Sequence, residues 1–83
     1  MTGRVKRPND IPQTRRFDGK PFTFKTYEFG RNARQSLKAY GEDITEGPNE
    51  HYRVIPYDNV LVPAGPNGEY RERRIWVLFV HWR

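Results

Sequence analysis

The chain has 83 residues and no cysteine, with 15 Lys and Arg against 10 Asp and Glu, for a formal charge of +5. One small domain fits that length, and the lack of cysteine excludes disulfides, thiolate metal sites and cysteine nucleophiles. No apolar run approaches the ~18 residues of a membrane span and no hydrophobic leader stands at the N-terminus, so a cytoplasmic protein without a membrane partner is the expectation.

The charge is uneven along the chain. Residues 1–20 carry +4, 21–40 carry +3, 41–60 carry −4 and 61–83 carry +2. Residues 1–16 are poor in apolar side chains and show no period, so they read as a disordered or extended basic arm ahead of a single α+β domain over residues 17–83. Asp18-Gly19 is a turn signal, and Phe17 and Phe22 on either side of it suit a small hairpin. Phe22–Phe29 reads as a strand with Phe22, Phe24 and Thr26 on one face and Thr23, Lys25, Tyr27 and Phe29 on the other.

Asn32–Tyr40 reads as the one helix. Asn32 with Gln35 three residues on has the pattern of a capping box. Ala33, Leu37 and Tyr40 form an apolar stripe, and Gly41 is a natural stop. An acidic, Gly/Pro-bearing loop follows over Gly41–Glu50.

His51–Tyr57 reads as a second strand, which Pro56 assigns to an edge, with Val60–Val62 extending it. Asn67-Gly68 is a strong hairpin signal. It leads into Tyr70–Trp82, whose Ile75–Val80 stretch is apolar on both faces, as in a central strand. The expected architecture is a small β-α-β-β domain: a mainly antiparallel sheet with one short helix on one face and a flexible basic N-terminal arm.

The candidate chemistry lies in the cations. Arg31, Arg34 and Lys38 recur at spacings of three and four, so they share a helix face, read here as lying opposite the apolar stripe. The arm adds Arg4, Lys6, Arg7, Arg15 and Arg16. Lys25 lies on the first strand, and Arg71, Arg73 and Arg74 form a second patch. Cations with reach suit phosphate contact, so nucleic acid is the expected partner, DNA and RNA undistinguished. Tyr27, Tyr52 and Trp82 are the candidates for stacking on unpaired bases, whereas Phe22, Phe24, Trp76 and Phe79 read as core.

The acidic loop lacks EF-hand spacing and His51 and His81 lack a third ligand, so no metal and no cofactor is expected. Ser36 is the only serine, and no P-loop, G-x-G-x-x-G or G-x-S-x-G pattern occurs. The reading favours a non-enzymatic polyanion-binding module. A second reading is an assembly subunit, or homodimer, pairing through the apolar Ile75–Trp82 strand.

A third comes from resemblance. The stretches Tyr52-Arg53-Val54-Ile55-Pro56-Tyr57-Asp58 and Arg74-Ile75-Trp76-Val77-Leu78-Phe79-Val80-His81-Trp82-Arg83 resemble the paired strands of RelE-type ribonuclease toxins. These are small basic α+β proteins that cleave mRNA with Arg, Lys, Tyr and His side chains. The resemblance covers about half the chain and implies Arg53, His81 and Arg83 as active-site residues. The family's longer helical hairpin ahead of these strands has no counterpart, since only one short helix fits.

Overall fold

Segments rich in β-branched and aromatic residues form the sheet, and the one segment with a 3.6-residue apolar period forms the helix. A computed structural model describes residues 7–46 and 51–82. After a short 3-10 turn at Pro8–Asp10 come β1 (Thr14–Phe17), β2 (Lys20–Phe29), α1 (Ala33–Thr45), β3 (Tyr52–Pro63) and β4 (Tyr70–Val80). The four strands form one antiparallel sheet in the order β1-β2-β4-β3, with α1 packed on one face. This is a small α+β domain with one strand, β1, beyond the β-α-β-β expectation. The Asp18-Gly19 signal makes that hairpin, both residues taking the positive φ (54° and 78°) that a tight two-residue loop needs.

The arm read over residues 1–16 is therefore folded from Arg7 onward. Ile11 is buried in the core and Thr14–Phe17 pairs with Lys20–Thr23. Arg4 and Lys6 lie outside the described residues.

Two bulges set which side chains share a face. In β2, Phe24 pairs with Phe79 and Thr26 with Leu78, so Lys25 is an extra residue. The extra residue reverses the alternation beyond it. Phe22, Phe24, Tyr27 and Phe29 consequently lie on one face, not on the two faces that strict alternation assigns. In β3, Tyr57 pairs with Ile75 and Val60 with Arg73, so one residue is again inserted, and Asn59 takes a left-handed φ of 59°. The Asp58 carboxylate holds the Arg74 guanidinium at 2.6 Å across this bulge, and Asn59 Nδ2 donates to Glu72 Oε1 at 3.1 Å.

The sheet buries both faces. One carries Ile11, Phe22, Val60, Val62, Ile75, Val77 and Phe79, with Phe17, Phe24, Tyr27, Ile55 and Tyr57 packed around them. The other carries Leu37 of α1, Tyr52, Leu78 and Val80, with Ile44, Val54 and Trp76 beside them. β4 lies between β2 and β3, and Ile75, Val77, Leu78, Phe79 and Val80 are fully buried. The two-sided apolarity of Ile75–Val80 is thus that of an internal strand, and it leaves no pairing edge there for a second chain.

Among the described residues no α-helix packs on the aromatic face; the sheet curls over it and Ile11, after the 3-10 turn, is buried in it. Two arginines join the opposite edges. Arg15 of β1 donates to the Tyr57 hydroxyl of β3 at 2.7 Å. Its guanidinium carbon also lies 5.1, 5.8 and 5.9 Å from the ring centres of Phe17, Tyr57 and Phe79. Arg53 of β3 meets Asp18 in the β1–β2 turn at 2.7 Å and lies 5.7 Å from the Phe22 ring centre.

α1 differs from its expected form at both ends. Asn32 makes no side-chain cap hydrogen bond, and the first turn is closed through backbone carbonyls. Gly41 does not stop the helix, because its missing side chain is what lets α1 close on the Tyr52 ring. A Cβ at Gly41 would stand 2.6 Å from Tyr52 Cδ2. Glu42, Asp43 and Thr45 are accordingly helical instead of looped, and Glu46 ends the helix in the left-handed region. The buried stripe is Ala33, Leu37 and Gly41, while Tyr40 is 40% exposed.

Candidate anion-binding groove

The shift of the buried stripe towards Gly41 changes where the helix cations stand. Arg34 and Lys38 flank that stripe instead of opposing it, and they overhang the outer strand β3. Together with Tyr52, Arg53 and Val54 they line a groove of about 250 Å³. Arg34 and Lys38 are its exposed cations; Arg53 borders it, but its guanidinium lies near Phe17 and Phe22 on the aromatic face. Val54 supplies an apolar floor and is half-buried. The Arg34 guanidinium carbon lies 5.8 Å from the ring centre of half-buried Trp76, within cation–π range. Neither Arg34 nor Lys38 forms an ion pair among the described residues, whereas Arg53 is already paired with Asp18.

Tyr52 and Glu42 complete the local electrostatics. Burial, and secondly the negative charge of Glu42, raise the Tyr52 hydroxyl above its ordinary pKa of 10.0. The phenol is therefore neutral at physiological pH.

The other expected cations are dispersed. Arg31 is exposed in the turn before α1, and Lys25 is exposed at the β2 bulge. Arg16 is exposed and donates to the Gly19 carbonyl at 2.8 Å. Arg15 was expected to be available to phosphate, but its guanidinium is committed to Tyr57 and three aromatic rings, so it acts in the fold. Arg7 joins Tyr27, Leu61, Pro63 and Tyr70 around a separate cavity of about 290 Å³. The Arg71, Arg73 and Arg74 patch is divided: Arg71 is exposed, Arg73 lies 5.8 Å from the Phe29 ring centre, and Arg74 is bound to Asp58. The hydrogen bond and charge of Arg74 hold the Asp58 carboxyl below its ordinary value, and Asp58 raises Arg74 in turn.

The stacking candidates separate as well. Tyr52 is only 5% exposed and belongs to the core, which corrects its expected role: its ring face is taken by Gly41. Tyr27 is half-buried against the aromatic core, and Trp82 is 56% exposed. Sequence reasoning missed Arg53 as a groove wall and Tyr40, Tyr70 and Phe29 as exposed aromatics.

Of the residues implied by the toxin resemblance, Arg53 is held by Asp18. The His81 ring is 2.7 Å from the Pro21 carbonyl. A carbonyl only accepts, so His81 carries its proton on Nδ1. Arg83 lies outside the described residues. No helix among the described residues is long and apolar enough to cross a membrane. No family model, curated protein or solved structure matches the chain.

Proposed function

We propose that this protein is a nucleic-acid-binding module that takes phosphate groups in the groove between α1 and β3. The observation that carries the reading is the meeting of Arg34 and Lys38, both exposed and without carboxylate partners among the described residues, on one concave surface between α1 and β3. A phosphate entering there gains two unneutralised cations without breaking an ion pair. The overall charge of +5 supports long-range attraction of a polyanion. Exposed Arg31 precedes the same helix and extends the positive surface, while Arg16, Lys25 and Arg71 supply charge elsewhere on the molecule.

The test is oligonucleotide affinity as a function of salt for the wild type and for an Arg34→Ala, Lys38→Ala variant. The variant is expected to bind more weakly and to lose about two phosphate contacts from its salt dependence, each worth a slope of about 0.7–0.9. Unchanged affinity and slope in a folded variant would remove the groove from the proposal. Wild-type binding insensitive to salt would remove the phosphate reading altogether.

A further inference from the structure

The groove also has a form that discriminates among nucleic acids, and we infer that it takes an unpaired nucleotide, its base against Arg34 and its phosphate at Lys38. This inference rests on the nucleic-acid reading of the same groove and adds the strandedness of the ligand. Three observations carry it.

The first is the layering at Arg34. Its guanidinium lies over the Trp76 ring at 5.8 Å, which sets a planar cation above an aromatic base layer. A guanidinium plane is a surface on which unstacked bases settle, and one backed by an indole is restrained in its orientation. The second is the size and lining of the groove. A helix flank and the outer strand bound a groove of about 250 Å³, which is on the scale of one nucleotide unit. Half-buried Val54 presents apolar surface in the same groove, against which an unpaired base can lie.

The third is the contrast between the two free cations. Lys38 is a compact ammonium with three donors, suited to phosphate from several directions. Arg34 is planar and already ordered by Trp76. One site thus combines a point charge with a stacking plane, the combination by which single strands are held without sequence preference. A rigid duplex keeps its bases stacked on one another and leaves the Arg34 plane unused. The inference assigns no groove side chain to the 2′-hydroxyl, so it treats unpaired DNA and unpaired RNA as one ligand class.

The experiment measures fluorescence anisotropy of labelled oligo-dT and oligo-U of about eight nucleotides, a common single-strand site size, and of a duplex of the same length at the same salt. The proteins are the wild type, Arg34→Lys, and the Arg34→Ala, Lys38→Ala variant. Both single strands are expected to bind at least about fivefold more tightly than the duplex. Arg34→Lys, which keeps the charge and the helix propensity, is expected to lose about fivefold or more in single-strand affinity while its salt slope stays unchanged. Duplex affinity equal to or above that of the single strands would overturn the inference, as would Arg34→Lys binding like the wild type. Either result leaves the phosphate reading standing if the double variant still weakens binding. If the double variant binds as the wild type does, the underlying reading falls instead, so the two failures are separable.

Discussion

The two faces of the sheet use arginine in opposite ways. On the aromatic face, Arg15 and Arg53 close the curl. Each spans from one sheet edge to the other, each lies near aromatic rings, and each has a specific partner, Tyr57 or Asp18. On the helix face, Arg34 lies over the Trp76 ring, and neither Arg34 nor Lys38 meets a carboxylate among the described residues. The same residue type is a structural tie in one place and available charge in the other. Counting cations along a sequence therefore overstates the surface available to a polyanion. What separates the two classes is whether the sheet's curvature brings an acceptor within reach.

The sharpest way to break this contrast is to remove the aromatic centre that the clasp covers. Phe79 is fully buried, lies 6.2 Å from Phe24 and 5.8 Å from Phe17 by ring centres, and sits under Arg15. Phe79→Ala is expected to cost about 3–5 kcal/mol, measured by urea unfolding. A loss below about 1 kcal/mol would mean that the aromatic face is not a packed core.

A smaller effect tests the arginines directly, in one assay. Arg15→Ala removes the hydrogen bond to the Tyr57 hydroxyl and uncovers three rings, so a loss of about 1–3 kcal/mol is expected. Arg34→Ala lies on an exposed helix surface and should stay within about 0.5 kcal/mol of the wild type. Equal losses for the two substitutions would erase the distinction between tie and free cation.

The smallest effects are pH-dependent. Burial raises the folded-state pKa of Tyr52, so its stabilising contribution is complete below the ordinary value of 10.0. It is lost as the pH climbs through the raised value, because the unfolded chain releases that proton first. Asp58 runs the other way: its depressed pKa contributes above the ordinary carboxylate range and fades as the pH falls through the depressed value. Being exposed, Asp58 should give the weaker slope. Thermal midpoints in Tyr52→Phe and Asp58→Asn that track the wild type at both pH extremes would contradict these assignments.

Much of the fold was legible because the local signals were strong. Asp18-Gly19 marks its hairpin, Pro56 marks an edge strand, and the unbroken apolar stretch Ile75–Val80 marks an internal one. The site was legible only in part. The spacing of Arg34 and Lys38 puts them on one side of a helix, but whether that side meets solvent or a strand depends on which residue faces the sheet. Tyr40 fits the apolar period as well as Gly41 does. Gly41 takes the buried position because the Tyr52 ring needs the space that a glycine leaves empty.

Composition and short-range pattern were enough for β2, β3, β4, the first part of α1, the Asp18-Gly19 turn and the positive charge, since each follows from backbone preference or from residues near one another in the chain. Facing and commitment were decided in three dimensions. One inserted residue, Lys25, carries every later β2 side chain to the opposite face, and curling brings Arg15 to a tyrosine 42 residues away. Neither leaves a local trace, because each results from how strands register and close on one another over distances that no run of neighbouring residues encodes.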